Sequence, residues 1–171
     1  MRQGSACRGG PSQRARRLIF PVFRDCGRSG VFEALIALIL PDNAIGPLNL
    51  DALRRSSSPN DFLLADTDLT SASSDGGSIE IVGLDQEAIH AAIRRYAQDE
   101  KGGSLRDQQA LSGVYVIRTP ILKYPNGLYY WIEPTEQGSR VSLYSKSIYG
   151  HIDYGKNQDY VTALAGNLLA L

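Results

Sequence analysis

The chain has 171 residues, 43% of them hydrophobic, and balances 18 Lys and Arg against 18 Asp and Glu. That length builds one domain with a proper core and is short for two. The charge is unevenly spread: the first 30 residues hold seven Arg and one acid, Asp25, so the rest carries 11 bases against 17 acids and is a poor electrostatic match to nucleic acid.

Residues 1–30 show no sustained hydrophobic period. They read as disordered, or as a leader foreign to the natural protein with translation starting near Val31. Both cysteines, Cys7 and Cys26, fall in this leader, which leaves the body without thiol or disulfide chemistry. The run Val31–Leu40 is the one strongly apolar stretch. It has about half of the roughly 20 residues that a membrane-crossing helix needs, so it fits a short helix or an interfacial anchor and raises membrane association as an expectation. Residues 42–77 contain Pro47, Pro59, Ser56-Ser57-Ser58 and Ser73-Ser74-Asp75-Gly76-Gly77, and read as an extended linker in which Asp61–Leu64 is able to dock on a domain. The division is therefore a leader over 1–30, an apolar segment and linker over 31–77, and a folded unit over 78–171.

Ser78–Val82 alternates as a strand. Asp85 stands at the N-cap of an amphipathic helix with Ile89, Ala92, Ile93 and Tyr96 on one face and His90 on the polar, solvated side. A polar loop over 98–109 follows. Three strands are predicted over 113–119, 127–133 and 139–147, with turn signals at Pro125-Asn126-Gly127 and Pro134–Gly138 that make the pairings antiparallel. From about Gln158 the period changes, and Val161, Leu164, Ala165, Leu168 and Leu171 share a helical face. The order β-α-β-β-β-α predicts an α+β fold: a small antiparallel sheet with helices packed on one face and a C-terminal helix, loosely START-like in its helix-grip arrangement.

The most specific stretch lies between the last strand and the last helix: Ser145-x-Ser147-x-x-Gly150-x-x-Asp153-x-Gly155-x-Asn157. This pattern resembles the signature of the DUF1499 family, a bacterial and plastid group without a known function. The resemblance extends to Val116-Ile117-Arg118-Thr119, to Lys123-Tyr124-Pro125-Asn126 and to Pro59-Asn60-Asp61-Phe62-Leu63, and covers about residues 59–171. Thr119 stands where the family usually has Ser, Asn126 where it has Asp, and Gln158-Asp159-Tyr160 where an Arg is common. The resemblance implies a small domain at the cell envelope or periplasm that binds a small molecule or an envelope protein, with no assigned reaction and no cofactor.

Arg118, Ser145, Ser147, Asp153 and Asn157 are the candidate ligand-binding residues. Asp153 and Asn157 stand at a strand-to-helix junction, where side chains and backbone N–H groups are exposed together. The competing reading, that one of them caps the last helix while Gly150 and Gly155 supply positive-φ geometry, is favoured. Arg118 either clamps a ligand carboxylate or pairs with Asp153, or else lies on the solvent face of the sheet. Arg118, Asp153 and His151 together define the alternative, an acid–base enzyme. Ser145 and Ser147 share a strand face but lack a nucleophile elbow or an oxyanion signature. With only His90 and His151 and no paired-His spacing, no metal centre is implied. The tyrosines of the strands and Trp131 either line a pocket or cover half-exposed strands, and strand propensity favours the second reading.

Overall fold

The computed structural model describes residues 39–171. The leader and the apolar run up to residue 38 lie outside it. Among the described residues no helix is long and apolar enough to cross a membrane. Six strands, β1 (Asp61–Leu64), β2 (Ile79–Val82), β3 (Ser104–Gln109), β4 (Ser112–Arg118), β5 (Pro125–Thr135) and β6 (Gly138–Ser147), form one antiparallel sheet. Helix α1 (Gln86–Arg94), which continues through a π-helical turn over Arg95–Glu100, and helix α2 (Lys156–Leu169) complete the α+β fold.

The sheet order is β1-β6-β5-β4-β3, and β2 also pairs with β6. The registers explain how one strand takes two partners on one edge. β1 matches Asp61 to Lys146 and Leu64 to Leu143, while β2 matches Ile79 to Val141 and Val82 to Gly138. The two short strands thus lie end to end along β6, and residues 65–78 are a loop that leaves the edge and returns to it.

Period-2 alternation sends the two faces of this sheet into separate cores. On one face Tyr115, Ile117, Leu128, Tyr130, Val141 and Leu143 pack with Ile89, Ile93 and Tyr96 of the α1 segment and Val161, Leu164 and Leu168 of α2. On the other, Val114, Val116, Tyr129 and Tyr144 pack against Ile45, Leu53 and Leu63. Residues 42–77 are therefore not a free linker. They cover the second face and supply β1, because Ile45, Leu53 and Leu63 are apolar anchors spaced through an otherwise polar sequence. Ion pairs tie the cover down: Arg55 meets Asp61 at 2.7 Å and Asp75 at 2.8 Å, and Tyr144 Oη donates to Asp61 Oδ2 at 2.8 Å.

Asp85 caps α1, its Oδ1 accepting from Ala88 N at 2.8 Å. The expected loop over 98–109 instead holds β3, an edge strand exposed along nearly its whole length. Its polar sequence gives no alternation to read, and charged side chains on an edge discourage further pairing. Leu171 lies beyond α2 and is exposed, unlike Leu164 and Leu168 of the expected apolar face.

Candidate functional site

The Ser145–Asn157 stretch is a strand-to-helix junction built around a buried amide. Ser145 and Ser147 leave β6 on the helix-bearing face, the face of Val141 and Leu143. Asn157, in the first turn of α2, is completely buried. Its Oδ1 accepts from Ser145 Oγ at 2.6 Å, and its Nδ2 donates to Asn60 O at 2.6 Å and to Ser147 Oγ at 2.9 Å. Ser147 Oγ in turn donates to Asn126 Oδ1 at 2.5 Å, and Asn126 Nδ2 reaches the Ile117 and Tyr124 carbonyls. Every donor in this relay has an acceptor, which is the condition for burying polar side chains without a large penalty. Asn60 adds its Nδ2 to the Gly150 carbonyl at 2.9 Å, which brings the upstream Pro-Asn segment into the same cluster.

Asp153 has the capping role. Its Oδ1 accepts from Gly155 N at 3.1 Å and its Oδ2 from Asn157 N at 2.8 Å, so a carboxylate closes the N-terminal end of α2. Gly150 and Gly155 have φ of +91° and +79°, the left-handed geometry expected of them. Of the two cap candidates, Asp153 holds the helix start and Asn157 holds the helix to the sheet.

Arg118 does not join this group. It lies on the face of Val114 and Val116, away from the helices, where Nη2 meets Asp42 Oδ2 at 2.9 Å and Nη1 donates to the Leu40 and Lys123 carbonyls. His151 Nδ1 contacts Ser58 Oγ at 2.9 Å, at the surface. Arg118, Asp153 and His151 therefore each engage different partners, and the acid–base cluster of the alternative reading is not assembled. His90 is a second correction: it is buried, not solvated, with Nε2 3.0 Å from Ala110 O and Nδ1 2.7 Å from Tyr130 Oη. A carbonyl only accepts, so Nε2 carries a hydrogen, and in the neutral imidazole Tyr130 donates to Nδ1.

A cleft lies on the opposite face. It encloses about 310 Å³ between the sheet and residues 47–51. Two adjacent cross-strand rows make its floor: Asp107, Val114 and Tyr129 in one, Gln109, Ser112, Trp131 and Ser142 in the next. The Tyr129 and Trp131 rings stack at 6.2 Å with 10° between their planes. Trp131 Nε1 donates to Leu48 O at 3.1 Å, which holds the roof over the floor. Burial pushes the Tyr129 phenol up to about 12, so that it stays protonated across the physiological range. Asp51, Asp107 and Glu133 line the walls, and no Lys or Arg does. Glu133 is paired with Arg140, whereas Asp51 and Asp107 have no basic partner among the described residues. No group of three or more metal-ligating side chains occurs among the described residues.

In the sequence Tyr129 and Trp131 stand among many aromatics, and no motif marks Asp51 or Asp107. Tyr115, Tyr130 and Tyr144 prove to be core residues with no exposed surface, not covers of half-exposed strands. The register was the missing signal: once β3, β4, β5 and β6 are aligned, Asp107, Tyr129, Trp131 and Ser142 fall on one face. Comparison with known proteins finds that the family model described as "Protein of unknown function (DUF1499)" matches residues 53–168. No curated protein matches the chain.

Proposed function

The chain belongs to the DUF1499 family, and on that premise we propose that its domain is a non-enzymatic receptor at the bacterial envelope, holding a small organic cation with a flat or apolar body in the Trp131 cleft. One observation carries the reading: a stacked aromatic floor lies beside two carboxylates, Asp51 and Asp107, that have no basic partner among the described residues. A cation over an aromatic face gains about 0.5–2 kcal/mol, more as it is desolvated, and nearby carboxylates add attraction that an anion would experience as repulsion. The volume, about 310 Å³, suits a ligand of a few to a dozen heavy atoms at the small end of known binding cavities. The Ser145–Asn157 residues support the cleft from behind, by fixing β6 to α2.

Trp131 is the only tryptophan, so its fluorescence reports on the cleft. Titration with benzyltrimethylammonium should quench that emission, with benzyl alcohol, its uncharged counterpart, needing roughly tenfold more for the same change. The pair Asp51→Asn and Asp107→Asn should weaken the cation several-fold and leave the alcohol unchanged. Equal responses to the two probes, or to the two proteins, would overturn the assignment.

A further inference from the structure

The end of the sheet at which β4 stops, β5 starts and β6 stops carries an unusual set of exposed apolar side chains. Ile121 is 85% and Leu122 59% exposed in the β4–β5 connection, while Ile152 is 53% and Tyr154 88% exposed in the β6–α2 connection. The two connections are neighbours: Ile148 N donates to Pro125 O at 3.3 Å, and Asn126 pairs with Ser147 across β5 and β6. Elsewhere Leu169 and Leu171 form an exposed pair at the C-terminal end of α2, and Val82, Leu105 and Leu111 are spread over different elements. Water penalises each such side chain, so four together at one end need an explanation.

Backbone geometry points the same way. Among the described residues, Lys123 and Tyr154 are the non-glycine residues with positive φ, at 55° and 54°, and one stands in each connection. Glycine or asparagine would occupy such positions at less cost. At Tyr154 the strained backbone thrusts an aromatic ring outward, while Asp153 fixes the turn on either side of it.

The chain itself identifies the occupant. The apolar run Val31–Leu40 ends at this same place, since Arg118 Nη1 holds the Leu40 carbonyl at 3.2 Å and Tyr149 Oη holds the Pro41 carbonyl at 2.8 Å. Ile39, its first described residue, is 64% exposed. The described end of an apolar run too short to cross a bilayer, Ile39 and Leu40, therefore lies at the end of the sheet that carries both apolar connections, with Lys123 in one of them and seven Arg upstream in the sequence. Aliphatic and aromatic side chains flanked by bases are what an anionic lipid interface takes up. We infer that this end of the domain docks onto a lipid bilayer surface, with Ile121, Leu122, Ile152 and Tyr154 inserted at headgroup depth.

The test is co-sedimentation of the full chain with vesicles of equal parts phosphatidylcholine and phosphatidylglycerol. Two paired variants, Ile121→Ser with Leu122→Ser and Ile152→Ser with Tyr154→Ser, are compared with the parent, and urea midpoints check that all three fold alike. The parent should bind, and each pair should weaken binding by at least about tenfold, since each removes two inserting side chains. Three results would overturn the inference. The parent fails to sediment with vesicles; the paired variants bind as the parent does, so that residues 31–40 act alone; or the same substitutions dissociate a soluble dimer that has no affinity for vesicles, which would give the surface to a second copy of the chain.

Discussion

Replacing Asn157 by Asp changes one atom and removes two donated hydrogen bonds. The amide Nδ2 serves Asn60 O and Ser147 Oγ, and an ionised carboxylate can serve neither. Ser147 could turn its hydroxyl toward the new acceptor only by abandoning Asn126 Oδ1. The side chain is fully buried, so the folded protein will hold this carboxyl protonated and raise its pKa above the ordinary value of about 3.9. Keeping it protonated at pH 7 costs about 4 kcal/mol, from about three units at roughly 1.4 kcal/mol each, which is the upper limit of the pH-dependent penalty. Below about pH 4 the acid is protonated in both states, that penalty disappears, and only one donated bond of about 1 kcal/mol is missing. Because the folded pKa is the raised one, the destabilisation grows as pH rises from about 4 through the folded value. Urea denaturation of parent and Asn157→Asp, followed by Trp131 fluorescence at several pH values, gives the difference directly. At neutral pH the variant should melt roughly 8–20 °C lower. A difference in stability that is flat with pH, or below about 0.5 kcal/mol throughout, would refute a buried donor role for Asn157.

Three further outcomes follow from the packing. A Cβ at Gly138 would lie 2.0 Å from the Ile81 carbonyl, so Gly138→Ala should detach β2 from β6 and cost at least about 1–3 kcal/mol, read as a lower urea midpoint. His90→Phe should cost about 1–3 kcal/mol by orphaning the Tyr130 hydroxyl, and combining it with Tyr130→Phe should recover part of the loss; strict additivity in that cycle would count against the bond. Burial raises the phenols of Tyr129 and Tyr130, and of Tyr144, where the Asp61 carboxylate adds to it. Their contribution to stability is complete below the unfolded value of about 10 and is lost as pH rises through the folded values, so phenolate absorbance should lag that of urea-unfolded protein between about pH 10 and 12. Coincident titration curves for the folded and unfolded protein would contradict this.

Long periodic elements were legible in the sequence. Ile89, Ala92, Ile93 and Tyr96 marked α1, Asp85 marked its cap, and β4 to β6 had turn residues between them. β3 was not, because an exposed edge strand such as Ser104–Gln109 has no apolar face to alternate with. Residues 42–77 read as a linker because their anchors, Ile45, Leu53 and Leu63, are too far apart to make any period. That cover also hid the faces of β4: with both sides buried, Val114 to Ile117 form a continuous apolar run, and the side on which Arg118 lies is decided only by the register. The signature residues were legible as a junction, and their division of labour was not. Whether Asp153 or Asn157 caps the helix depends on where α2 begins, a boundary that composition does not set.

Under the proposed separation of roles, Ser145, Ser147 and Asn157 build the frame and the cleft on the other face takes the ligand. Amide chemical-shift mapping of the full chain with benzyltrimethylammonium tests it most directly. Shifts are expected at Asp51, Asp107, Ser112 and the Trp131 indole, with the amides of Ser145, Ser147 and Asn157 unmoved. Shifts concentrated between Gly150 and Asn157, with the Trp131 indole unmoved, would contradict it.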